Sequence, residues 1–250
     1  MVRYHGAADT PPWPSPTDGG HDCTTRSSGA GLGSGAHFTN PTYQRFATLL
    51  VGALVTIGRR TVANILRTLR HLALGHRTDY QRVLSRAPWS GLALGGAQMR
   101  FVLDHLLPDG PVRLVGDDTV DGHKGARVYG KARHRDPARS THSYTAFRHG
   151  HKWVVLAVLV KFPFATRPWA LPVLIDLYRS ADDDRKRNRP HRPPARIMCV
   201  LLRVLLVRFP GRTFVFAGDS GYGTHDHPFS RPGAIPNILC GQELRKGWEG

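Results

Sequence analysis

The chain has 250 residues, enough for one large or two small domains, and 40% of them are hydrophobic, which excludes global disorder. Thirty-five Lys and Arg, most of them Arg, stand against 18 Asp and Glu, a net charge of +17 with His neutral. The three Cys are widely spaced with no CxxC, which excludes a disulfide framework, and no apolar run is long enough to span a bilayer: Trp153–Val160 stops at Lys161, and Arg203 interrupts Ile197–Val207. The charge excess favours a polyanionic partner, most simply nucleic acid, because the Arg fork suits phosphate. The plain alternative is a basic, solvated surface. The first residues lack the basic–apolar–small pattern of a secretory signal. The expectation is a soluble, cytoplasmic protein in a reducing compartment with no membrane partner.

Residues 1–40 are rich in Gly, Pro, Ser and Thr and read as a disordered tail without assigned chemistry. Residues 41–108 read as helical. Val62, Ile65, Leu66, Leu69, Leu72 and Ala73 recur at helical spacing over Thr61–Leu74, with Thr61 as N-cap. A short helix is expected before Pro88, and another over Gln98–Leu107. Arg59, Arg60, Arg67 and Arg70 stud this region, so it either binds DNA or only packs on the core.

From residue 109 the pattern turns to α/β. Val112–Val115 is a short apolar run that ends in Asp117 and Asp118 and reads as a buried strand. A basic, His-rich segment follows, Lys124–Lys152, in which Lys124, Arg127, Lys131, Arg133 and Arg135 are candidates for contact with DNA phosphates. Trp153–Val160 reads as a central strand, and Leu171–Tyr178 as a strand that Pro172 drives to an edge. Ile197–Phe209 reads as a helix ended by Pro210 and Gly211, and Thr213–Gly218 as a second strand ending in an acid, Asp219. Residues 228–250 lose this periodicity and read as irregular.

Two strands that each end in an acid admit two readings. The acids close polar turns, for which Asp and Gly are suited, or they converge as a carboxylate cluster for a divalent metal. Phosphodiester chemistry with two metal ions needs carboxylates from separate elements, and carboxylate oxygens suit Mg²⁺ or Mn²⁺. Asp118 and Asp219 are about a hundred residues apart, so only a folded sheet brings them together.

The blocks GDDTVDGHKGARVYGKARHRDPARSTHSYTAFRHGHKWVVLAVLV, FPFATRPWALPVLIDLYRS and FPGRTFVFAGDSGYGTHD resemble, in this order, the DDE superfamily transposases, with the closest likeness to the IS4- and IS701-like group. The resemblance covers roughly residues 43–227. It implies an RNase H-like mixed sheet with flanking helices over residues 109–227, preceded by the small helical region and the disordered tail. It implies Asp118, in the DDT triplet, as the first catalytic Asp and Asp219, in GDSGYG, as the second. Both would be metal ligands, with Asp117 as neighbour and further candidate ligand and Mg²⁺ or Mn²⁺ as cofactor. The implied activity is metal-dependent DNA cleavage and strand transfer. The implied partners are DNA, as transposon ends and target, and a second copy of the chain or a full-length transposase. The family's catalytic Glu belongs on a helix further downstream, and Glu243 and Glu249 lack its context. The chain therefore reads as a truncated or frameshifted copy, weakly active or inactive. The alternative is a non-catalytic DNA-binding remnant or regulator of a full-length transposase.

Three further motifs are set aside. GDSG around Ser220 lacks the positioned His of a serine hydrolase. His134, His142, His149 and His151 are interleaved with cations, which disfavours zinc and makes them surface or DNA-facing residues. Trp89, Trp153 and Trp169 read as core. Tyr222, close after Asp219, is the aromatic residue expected at the site.

Overall fold

The computed structural model describes residues 38–125, 128–136, 139–218, 222 and 238–240, the last three as backbone alone. The chain forms two compact units, Met1–Ser90 and Gly91–Gly250. Among the described residues no helix is long and apolar enough to cross a membrane.

In the first unit, α1 (Asn40–Val55), α2 (Val62–Leu69) and α3 (Arg77–Ser85) bury Leu49, Ile65, Leu69, Tyr80 and Val83 against one another. Thr61 caps α2 as its position predicts, its hydroxyl accepting the Asn64 N–H at 3.3 Å. The helix expected to run to Leu74 stops at Leu69. Arg70 takes φ +46°, outside the helical region, and a single 3₁₀ turn follows over Arg70–Leu72. Leu72, counted on the apolar stripe from spacing alone, is exposed in consequence.

The second unit runs α4 (Gly91–His105), β1 (Val112–Gly122), β2 (Ala132–Arg135), β3 (Phe147–Val160), β4 (Trp169–Tyr178), α5 (Ala181–Lys186), α6 (Pro194–Arg208), β5 (Phe214–Gly218) and β6 (Ile238–Cys240). The strands form one mixed sheet in the order β2-β3-β1-β5-β6, with β4 also on β3. β1, β2 and β4 each run antiparallel to β3, while β1–β5 and β5–β6 are parallel. α4 and α6 pack on the sheet around Met99, Val102, Met198, Leu201, Leu202 and Leu205. A mixed sheet with flanking helices is the RNase H-like arrangement expected from the sequence. β4 is an edge strand, as Pro172 requires. β6 falls in the stretch read from sequence as irregular.

Two boundaries differ from the sequence reading, each for a tertiary reason. α4 begins at Gly91, not Gln98, and runs through Gly95 and Gly96. Each Gly costs a helix about 1 kcal/mol relative to Ala, but close packing outweighs that cost here. Val173 is the bulged residue of β4, where the pairing steps from Leu156–Leu174 to Ala157–Pro172. A Cβ on Gly95 would lie 2.1 Å from the Val173 carbonyl oxygen. A Cβ on Gly96 would lie 1.6 Å from the Arg208 guanidinium, which donates to Leu92 O at 3.0 Å. Gly95→Ala is therefore expected to destabilise by about 1–3 kcal/mol despite the better helix former. Gly91→Ala, with open space around it, is the control. Urea midpoints of the two variants test this, and a stabilised Gly95→Ala would mean that α4 does not rely on the contact.

The second difference concerns the acids. β1 does not stop at Val115 but continues through both Asp residues to Gly122, because β3 extends far enough to pair with it as far as Gly150. Asp117 and Asp118 therefore lie within the strand and face opposite sides of the sheet.

Candidate active site

β1 and β5 pair in register from Val112 beside Phe214 to Gly116 beside Gly218. Gly116 stands two residues before Asp118, and Gly218 immediately precedes Asp219. The parallel pair thus brings together the two segments that carry the expected acids. Asp219 itself lies outside the described residues, as do Arg127, Glu243 and Glu249.

Asp118 shares its face with Leu114 and Gly116, the face buried under α6, where a Cβ on Gly116 would meet Met198 and the Phe216 ring. Its side chain keeps 27% exposure and is held by two groups. The Lys152 ammonium of β3 lies 3.0 Å from Oδ2, and the Tyr222 hydroxyl donates to the same oxygen over a long 3.5 Å. Tyr222, the aromatic expected at the site, is buried in the core beside it. Sequence reasoning missed Lys152, which appeared only as the end of a basic run. Its signal is register: Lys152 pairs with Val120, two residues beyond Asp118 on the same face.

Two further titratable groups share that face, His134 and Asp176. His134 is 6% exposed and its Nε2 has no hydrogen-bond partner among the described residues. Burial first, and then the Lys152 charge, push its pKa down, so the ring is neutral at pH 7. His151, paired with Asp121 and so on the opposite face, is also buried, and its Nε2 meets Tyr129 O at 2.7 Å. The expectation of surface histidines fails for both: strand alternation turns His134 inward, and His151 packs against Tyr129 and Trp153. Asp176 of β4 sits in the same cross-strand row as Asp118, with Val154 between. Two strand spacings separate their backbones by about 10 Å, too far for one shared ion. Burial pushes the Asp176 carboxyl up, against the opposing hydrogen bond from Leu177 N–H.

The far face is different. Val115, Asp117, Val155, Ala157, Pro172 and Ala217 border an open, largely apolar basin of about 710 Å³, which Asp118 and Gly218 also reach. Asp117 is exposed, and its Oδ1 accepts the Asp118 N–H at 2.7 Å. The structure therefore does not bring the Asp117 and Asp118 carboxylates to one side. Arg133 and Arg135 are exposed on β2, opposite in face to His134, and the Arg133 guanidinium stacks 3.8 Å from the exposed Phe147 ring. Lys124 is exposed, and Lys131 donates to Gly125 O at 2.7 Å. Trp169, read as core, is half exposed against Phe162 and Phe164.

A carboxylate oxygen is the donor a hard divalent cation takes, and Asp118 already accepts a cation in the form of the Lys152 ammonium. Among the described residues no three His, Cys, Asp or Glu side chains gather into a metal site. A family model described as DDE superfamily endonuclease matches residues 35–227. No curated protein and no solved structure matches the chain.

Proposed function

Because this chain belongs to the DDE superfamily of endonucleases, we propose that it acts on DNA as a transposase, by metal-dependent phosphodiester cleavage and strand transfer of the insertion-sequence type. Asp118 and Asp219 are the acting carboxylates. One observation supports the reading: the parallel register of β1 and β5 sets Gly218, the residue before Asp219 in the sequence, beside Gly116, two residues before Asp118.

Asp118 and Asp219 would hold Mg²⁺ or Mn²⁺, which supplies an activated water and neutralises charge on the phosphate. The chain's own residues do the rest. Tyr222 holds the Asp118 carboxylate by its hydroxyl, and Lys152 balances the charge of that carboxylate in the metal-free site. Lys124, Arg133 and Arg135, exposed around β2, together with Lys131 and Arg127, neutralise DNA phosphates, and the +17 charge draws duplex to this surface. The protein is then an intracellular, DNA-associated one whose partners are transposon ends, target DNA and further copies of a transposase.

Purified chain, incubated with supercoiled plasmid, should nick it with Mg²⁺ or Mn²⁺ and not with EDTA. Duplex binding should weaken with salt, and each neutralised phosphate adds about −0.9 to the log–log slope. Replacing Arg133 and Arg135 with Gln should make that slope shallower by about 1–2. Salt-sensitive binding with no cleavage in either metal would favour the other reading, a non-catalytic DNA-binding protein or regulator. The ammonium seated on Asp118 is the observation on that side.

A further inference from the structure

We propose that Lys152 is a built-in counter-cation for Asp118 that competes with the divalent metal, so that the site is closed to metal until the ammonium is displaced; this rests on the reading of Asp118 as a metal ligand. The geometry is specific. Lys152 Nζ lies 3.0 Å from Asp118 Oδ2, a charge-assisted contact, and both side chains are about three-quarters buried. The Lys stem is fixed by its strand: Lys152 pairs with Val120 on one side and Tyr178 on the other, and Nζ stands 5.8 Å from the Tyr178 ring centroid. The ammonium therefore meets Asp118 from a rigid element.

An ammonium and a divalent cation both seek the same oxygen lone pairs, and two positive charges at one carboxylate repel. The carboxylate is competent for metal only in the fraction of molecules in which the ammonium has swung away, and apparent affinity falls by that fraction. The displaced ammonium remains within a side chain's reach of Asp118, where an incoming DNA phosphate offers it a new anion. DNA and metal would then bind with positive coupling, because phosphate draws away the group that blocks the metal. Lys152 is accordingly a positioning residue. Its removal should raise metal affinity, the opposite of what loss of a structural strut does.

The test is calorimetric titration of Mn²⁺ into the full chain without DNA, with melting temperatures to confirm folding. Lys152→Gln is expected to bind Mn²⁺ about fivefold more tightly than wild type, with Lys152→Arg close to wild type because it keeps the charge. Lys152→Met serves as a second neutral variant should the Gln form fail to fold. Asp118→Asn should abolish the tightened binding. Equal or weaker affinity in folded neutral variants, with binding that still depends on Asp118, overturns the role given to Lys152 and leaves the metal reading standing. Binding that ignores Asp118→Asn, or no binding in any variant, overturns the metal reading and this inference with it.

Discussion

Asp118→Asn should abolish metal-dependent nicking while leaving salt-sensitive DNA retention intact. The amide has nearly the shape of the carboxylate but not its charge, so it neither holds a divalent cation nor balances the Lys152 ammonium 3.0 Å away. Charge stabilisation by a bound metal is worth several kcal/mol, and each 1.36 kcal/mol is tenfold in rate, so the loss should reach about 10²-fold or more. Binding should persist, because the exposed cations of β2 lie on the other face of the sheet from this carboxylate. Asp219→Asn should match it if the acids act as a pair. Asp117→Asn, on the face of the open basin, is expected to cost less than about tenfold, a loss of under 1.4 kcal/mol. Initial nicking rates with Mn²⁺ decide the matter. Comparable losses from Asp117→Asn and Asp118→Asn would mean that face does not assign the role.

The largest stability effect is expected from Arg179→Ala. Asp184, at the start of α5, is 2% exposed, and Ser180 caps that short helix through the Asp183 N–H. The Asp184 carboxylate accepts from Arg179 Nε at 2.8 Å and meets His191 Nδ1 at 3.1 Å. This triad ties the end of β4 to the charged, proline-bearing segment that leads into α6. Removing one partner of a buried ion pair typically costs about 3–5 kcal/mol, because the remaining charge is stranded. For a unit of this size that lowers the melting temperature by roughly 6–20 °C. The pH dependence has a definite sign. Burial pushes the Asp184 carboxyl up, but the hydrogen bonds and charges of Arg179 and His191 outweigh it and hold the group below its ordinary value. A carboxyl held low in the folded state stabilises above its unfolded pKa of about 3.9, and that stability is lost as pH falls through the lower folded value. Denaturant unfolding at pH 7 and at successive points below pH 4 should show wild type losing this contribution. Arg179→Ala, already lacking most of it, should show a smaller further loss. Parallel acid profiles would mean that the triad does not govern the linkage.

The sequence by itself determined the α/β pattern, because apolar runs bounded by Gly and Pro have few other uses in a chain of this length. Trp153–Val160, Leu171–Tyr178 and Thr213–Gly218 each correspond to a strand, and Pro172 correctly marked an edge, since a residue without an N–H cannot serve a central ladder. The family was also legible there, in separated blocks that a family model matches over residues 35–227. What escaped was whatever depends on a partner distant in the chain. The early start of α4 escaped because two glycines look like helix breakers until the bulge at Val173 and the Arg208 guanidinium fill the space a side chain would occupy. The break at Arg70 escaped because helical spacing is blind to a single change of φ. At the site, only tertiary structure decided that Asp117 and Asp118 face opposite ways. The length of β3 keeps β1 extended through them, and an extended chain alternates its side chains. Lys152 was one cation among many until antiparallel register set it diagonally across from Asp118. Residue type and order can state which charges a chain carries, but which of them meet is fixed by pairing across strands, and that is a property of the folded sheet alone.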